Sequence, residues 1–148
     1  MIRVQTEDFE AGAEIAGMRE RAGDVGGLCS FIGVVRAGAG PERIIAMTLE
    51  HYPDMTEKEL ARTEAEARER WPLEDVTISH RIGRLVPGDQ IVLVLTASAH
   101  RKAAIEAAEF LIDWLKTKAP FWKSEEAAGE TRWVAARASD DEAAAKWD

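Results

Sequence analysis

Two amines seven positions apart, Lys116 and Lys123, flank the stretch Thr117-Lys118-Ala119-Pro120-Phe121-Trp122. A lysine beside phenylalanine and tryptophan is partly stripped of water, which disfavours its charged form and suits it to proton transfer near neutral pH. The bland alternative for Lys123 is an aliphatic stem laid over Trp122. For Lys116 it is a surface ion pair with Asp113, three residues earlier on the same helix. A second group, His100-Arg101, stands where a long helix should begin. Free backbone N–H groups, an imidazole and a guanidinium there would cradle a phosphate, or would simply cap the helix. Arg36 ends an apolar strand just before the loop Ala37-Gly38-Ala39-Gly40-Pro41, and reads as a ligand clamp or as a solvated strand end. His80-Arg81 reads as structural, and Cys29, inside an apolar strand, as core.

The charge map sharpens this. The chain has 148 residues, 19 basic and 27 acidic, for a formal charge of −8. Net acidity argues against a nucleic-acid binder. Residues 100–123 nevertheless carry five basic groups against three acidic ones, while residues 50–75 carry nine acids against four bases. Such segregation places a small-anion pocket on an acidic protein, or a merely solvated face. His51, His80 and His100 lie at no metal-ligand spacing, so no metal site is expected. Phosphate-loop, dinucleotide and serine-elbow signatures are missing. One cysteine allows no internal disulfide and suits a reducing compartment, the cytoplasm. No run approaches the ~20 apolar residues of a membrane span, and the first residues lack a signal core.

The elements that must hold these groups follow from periodicity. A helix is expected from Thr6 to about Ala22 and a buried strand over Leu28–Val35. Arg43–His51 forms a second strand. A helix from Asp54 to Arg70 is braced by Glu64–Arg68 and Glu66–Arg70. Strands follow over Val76–His80 and Gln90–Thr96, then a long helix from about His100 to Lys118 with Ser98 as its cap. The apolar arc of that helix, Ala104, Ile105, Ala107, Ala108, Leu111, Ile112, Trp114 and Leu115, is wide enough to pack on more than one side. Short strands near Phe121–Lys123 and Thr131–Ala135 precede an acidic tail. Paired strands between helices predict one α+β domain spanning 1–148, with a mixed or antiparallel sheet.

Five motifs occur in order with characteristic separations. They are Phe31-Ile32-Gly33-Val34-Val35-Arg36, Leu49-Glu50-His51-Tyr52-Pro53-Asp54-Met55, His80-Arg81-Ile82-Gly83, Ser98-Ala99-His100-Arg101 and Leu115-Lys116-Thr117-Lys118-Ala119-Pro120-Phe121-Trp122-Lys123. Together they resemble the large, catalytic subunits of molybdopterin synthase, from about residue 4 to Trp147.

That resemblance implies an α+β fold with a hammerhead-like β element, and a sulfurtransferase needing no cofactor of its own. It implies a homodimer in which each large subunit binds a small ubiquitin-like sulfur carrier, a heterotetramer in all. The carrier's C-terminal Gly-Gly thiocarboxylate would deliver sulfur to cyclic pyranopterin monophosphate, forming the molybdopterin dithiolene. Lys116 matches the catalytic lysine and Lys123 the second pocket lysine. Arg36, with Val34 and Val35, matches a substrate-contacting strand end, although Val34 stands where some relatives carry a polar or basic residue. His100 and Arg101 match a pair that reaches the substrate phosphate from the neighbouring subunit. Ser124, Glu125 and Arg137 complete the substrate site, and Phe31 and Ile112 line the carrier-tail channel. A carrier-binding adaptor without turnover, or a small-anion or nucleotide binder, would use the same groups. The intact lysine pair favours the enzyme over the adaptor, and binding of simple phosphate compounds without a carrier would mark the anion binder.

Overall fold

The run Ile91-Val92-Leu93-Val94-Leu95-Thr96-Ala97 is β-branched and apolar on both faces, so only a central strand can satisfy it. In the computed structural model, which describes residues 1–135 and 137–148, it is β6 (Gln90–Ser98). It lies inside a four-stranded sheet ordered β1 (Ile2–Gln5), β4 (Leu73–Arg81), β6, β2 (Gly27–Val34). β1 runs parallel to β4, and the other neighbours are antiparallel. Alternate residues of β6 serve two cores. Val92 and Val94 face α2 (Met55–Arg70) and α3 (Arg101–Thr117), packing with Leu60, Ala67, Phe110 and Leu111. Leu93, Leu95 and Ala97 face α1 (Ala11–Arg21), packing with Met18 and Phe9. Each such buried aliphatic side chain contributes roughly 1.5–3 kcal/mol.

A second four-stranded sheet, all antiparallel, is ordered β5 (Gly83–Leu85), β3 (Ala46–His51), β7 (Phe121–Ala127), β8 (Glu130–Val134). Its inner face gives Met47, Leu49 and Leu85 to a core shared with Val35 and Ile44. The β7–β8 hairpin turns through Ala128 and Gly129, both at positive φ (48° and 82°). Two left-handed central residues match the twist of the flanking strands, though alanine tolerates that conformation less well than glycine. The predicted α+β fold with mixed and antiparallel sheets is the fold observed.

The structure departs from expectation where local pattern met tertiary pairing. Residues 2–5 are a strand, because they add to the edge of β4. The first helix begins at Ala11, not Thr6, with no side-chain cap. Asp54 precedes α2 with φ of 67° and likewise makes no side-chain cap. The long helix takes His100 as its N-cap residue, and the Ser98 hydroxyl accepts from the His100 N–H at 3.4 Å. β2 is an edge strand with Ser30, Ile32 and Val34 exposed, rather than buried on both faces. The segment Ile44–Leu49 is largely buried; Ile45 alone among its large apolar side chains is exposed, at 57%. The acidic tail contains a helix, α4 (Ala138–Ala145). Both predicted α2 ion pairs form, Arg68–Glu64 at 3.4 Å and Arg70–Glu66 at 2.8 Å.

Candidate active site

α3 runs back along β6 and β2, so its last turn lies at the end of the main sheet where β6 begins and β2 finishes. Register fixes the neighbours there. Val34 lies opposite Gln90, and His80 of β4 lies opposite Val92. The chain leaves α3 through Lys118 and Ala119, whose N–H groups both donate to Trp114 O, and enters β7 at Phe121. Pro120 cannot continue the helix. This sharp exit brings Lys116, on the last turn, beside Lys123 on β7.

The two lysines sit differently. Lys116 is exposed and forms no ion pair among the described residues. The predicted Lys116–Asp113 pair is not formed. Lys123 is half-buried, with its ammonium 3.8 Å from Glu125 Oε1. Burial pulls the Lys123 pKa below the usual lysine range. Glu125 and, more weakly, Asp140 oppose that shift, while Lys116 and Arg137 reinforce it. Arg132 stands 4.0 Å from the other Glu125 oxygen. Glu125 therefore carries a local excess of positive charge, and the cluster suits an anion that supplies the missing negative charge. Arg137 is exposed at the N-cap of α4.

Phe31, Ile112, Leu115 and Phe121 all pack against the α2/α3 core, giving the lysines an apolar floor. Val34 is half-exposed and Arg36 exposed at the end of β2. Val35 is buried, its N–H donating to Asp89 O and its carbonyl accepting from the Gly88 N–H. Ser124 is buried and alternates with Lys123, so it points to the opposite face of β7, between Thr48 and Trp133.

The sequence marks His80-Arg81 as structural, and Arg81 is: the guanidinium donates to Thr6 O and Gln90 O. The imidazole has more to do with the site. It stacks on Phe121, centroids 4.0 Å apart at 15°. Its Nδ1 lies 2.8 Å from Arg81 O. A carbonyl only accepts, so Nδ1 carries the proton and Nε2 is left as an acceptor. Burial pushes the His80 pKa down to about 4, with Lys116 and His51 adding to that shift. The signal was available: Val76, Ile78 and His80 alternate onto one face of β4, and Val76 and Ile78 pack there in the core beneath α2 and α3.

His100 and Arg101 do not join this cluster. They lie at the opposite end of α3, fifteen residues or roughly 22 Å from Lys116 along the axis. They line a shallow cleft of about 470 Å³ with Gly26, Ala99 and Lys102. The cleft depends on glycine, because a Cβ on Gly26 would fall 1.9 Å from Ala99 O.

The model of the family described as MoaE protein matches residues 4–118. That span holds the strand end, the His-Arg pair, His80 and Lys116. The chain belongs to the MoaE protein family. Its similarity extends further than the family model. A relative from Mesorhizobium japonicum (strain LMG 29417 / CECT 9101 / MAFF 303099), named molybdopterin synthase catalytic subunit, is 49% identical over 99% of this chain and 92% of its own. A solved structure, the molybdopterin biosynthesis MoaE protein from Burkholderia ambifaria MC40-6, superposes with a TM-score of 0.84 at 51% identity, covering 99% of this chain and 97% of that one. A more distant structure shares the MoaE fold at 19% identity and TM-score 0.74, covering 90% and 89%. It is described as the protein–protein complex of subunit 1 and 2 of Molybdopterin-converting factor from Helicobacter pylori 26695. No helix of the described residues is long and apolar enough to cross a membrane.

Proposed function

We propose that this chain is the catalytic subunit of a molybdopterin synthase, moving sulfur from the C-terminal thiocarboxylate of a small ubiquitin-like carrier to cyclic pyranopterin monophosphate. The observation that carries the reading is the lysine pair at the exit of α3. Lys116 is unpaired among the described residues and Lys123 is half-buried with a lowered pKa, both in a chain about half identical to named catalytic subunits. The whole chain, 1–148, acts as one domain in the cytoplasm.

The chemistry follows from the charges. A thiocarboxylate is an anion, and so are the phosphate of the substrate and the oxyanion that forms when water releases the carrier from the transferred sulfur. Lys116 faces solvent and is free to meet each of these, stabilising the oxyanion and moving protons as sulfur adds and the ring phosphate linkage opens. Lys123, whose burial makes its proton easier to lose, accepts or returns a proton. Phe31 and Ile112 provide apolar contact for the carrier tail, and Arg36 and Arg137 meet substrate anions from either side. His100 and Arg101 are too far along α3 to serve the lysines of their own chain. They serve a partner copy in a homodimer, and two carriers complete a heterotetramer.

Reconstitution tests this. Purified chain, a thiocarboxylated carrier and cyclic pyranopterin monophosphate should yield dithiolene, read as its oxidised fluorescent derivative. Lys116→Ala should lower turnover about 10²–10³-fold, as for loss of one oxyanion donor. Tight carrier binding with no product from the wild type would make the chain an adaptor instead.

A further inference from the structure

Three residues before Lys116 stands Asp113, on the same helix face and within side-chain reach. The ordinary outcome of that spacing is an ion pair, and it does not form. The Asp113 carboxylate is already engaged: Trp147 Nε1–H donates to its Oδ2 at 2.7 Å. The indole is not free to leave. Its ring is half-buried, edge-on to Trp71 and Phe110 at centroid distances of 5.5 and 5.7 Å. On one side of it Lys146 pairs with Glu109, and on the other Lys118 Nζ donates to Asp148 Oδ1 at 3.0 Å. Ala144 buries the inner side of α4. Three contacts thus clasp the end of the chain onto the outer side of α3.

We infer that Trp147 is a positioning residue for the sulfur-transfer reaction, holding the Asp113 carboxylate by its indole N–H so that Lys116 remains unpaired and open to substrate anions. A charge-assisted bond from a fixed donor outcompetes an exposed pairing between neighbours on a helix. The same clasp seats α4, whose N-cap residue is Arg137, beside Lys123. The inference rests on the proposed role of Lys116, but the arrangement has a readout of its own.

That readout is the reactivity of Lys116 toward trace acetic anhydride, measured peptide by peptide against the other lysines of the intact protein. Trp147→Phe keeps the ring and removes only the N–H. The released Asp113 should turn to Lys116 and slow its acylation roughly 1.5- to twofold, the strength of an exposed neighbouring pair. Dithiolene turnover should fall by a similar factor in kcat, with the KM for the carrier unchanged. Trp147→Phe combined with Asp113→Asn should restore both. Asp113→Asn alone retains an oxygen for the indole and should leave Lys116 at least as reactive as in the wild type. Unchanged reactivity in Trp147→Phe, or a loss that Asp113→Asn does not repair, would reduce the clasp to packing and overturn the inference. Reactivity that follows the expected pattern while Lys116→Ala keeps full turnover would leave the clasp standing and overturn the catalytic reading instead.

Discussion

The two ends of α3 carry positive charge in different ways. At the C-terminal end, side chains from α3, β7 and β4 meet where the two sheets adjoin, and burial shifts the titration of Lys123 and His80. At the N-terminal end, His100, Arg101 and Lys102 line an open cleft together with Gly26 and Ala99. The first arrangement suits groups that must gain and lose protons. The second suits a permanent charge that binds and does not react. On the proposed function, one helix separates chemistry from anchoring by its own length, and a single copy cannot apply both ends to one small substrate.

The largest effect expected from this contrast is complementation. Lys116→Ala and Arg101→Ala should each abolish most turnover as pure proteins. Refolded together as a random mixture, they should recover about a quarter of wild-type activity, because half of the dimers would contain one intact composite site. Activity that stays at the single-variant level after subunit exchange would break the two-copy reading. Gly26→Ala tests the open end alone. Its Cβ meets the Ala99 carbonyl at 1.9 Å, so the start of α3 must move, at a cost of roughly 3 kcal/mol. Thermal unfolding should report that loss.

A smaller effect is expected from His80, measured as stability against pH. Its folded pKa of about 4 lies below the ordinary 6.5. Between those values the unfolded chain binds the proton and the folded chain does not, so stability falls as pH drops. The neutral imidazole's contribution is complete above pH 6.5 and lost by about pH 4, and amounts to roughly 3 kcal/mol. His80→Gln should flatten the acid limb of a denaturation series over that window. An unchanged slope would mean that His80 is hydrated in the folded protein.

How much of this was legible in the sequence depends on whether the cause was local. The α2 ion pairs and the β6 strand follow from spacing along one element and appear as read. The α3 arc does so in part, since Ala104, Ala107, Ala108 and Leu111 are buried while Ile105 is 53% exposed and the buried Ala103 and Phe110 lie outside the predicted arc. β1 and β5 are four and three residues long and exist because a neighbouring strand offers hydrogen bonds. Nothing in Ile2-Arg3-Val4-Gln5 announces that partner. β2 departs from expectation for the complementary reason: its apolar residues predict burial, but its position at a sheet edge leaves one flank open. The lysine pair stood out through residue type and aromatic context. The Asp113 switch of partner did not, because Trp147 lies 34 positions away and reaches Asp113 only through the fold.

The smallest predicted change sharpens the closed end itself. Of the charges around Lys123, Glu125 and, more weakly, Asp140 raise its pKa, while Lys116 and Arg137 lower it. Glu125→Gln removes the larger raising contribution and leaves the lowering ones, so the Lys123 amine must give up its proton at a lower pH than in the wild type. If turnover needs that proton, the alkaline limb of the kcat profile moves toward neutrality. If turnover instead needs the free amine, it is the acid limb that moves, in the same direction. Lys116→Ala has the opposite sign at Lys123, because it withdraws a like charge, and its residual activity should show the same limb displaced upward. Arg101→Ala, at the far end of α3 and screened by solvent over some 20 Å, should move neither limb. A shift on Arg101→Ala as large as that on Glu125→Gln would mean that the two ends are electrostatically one site.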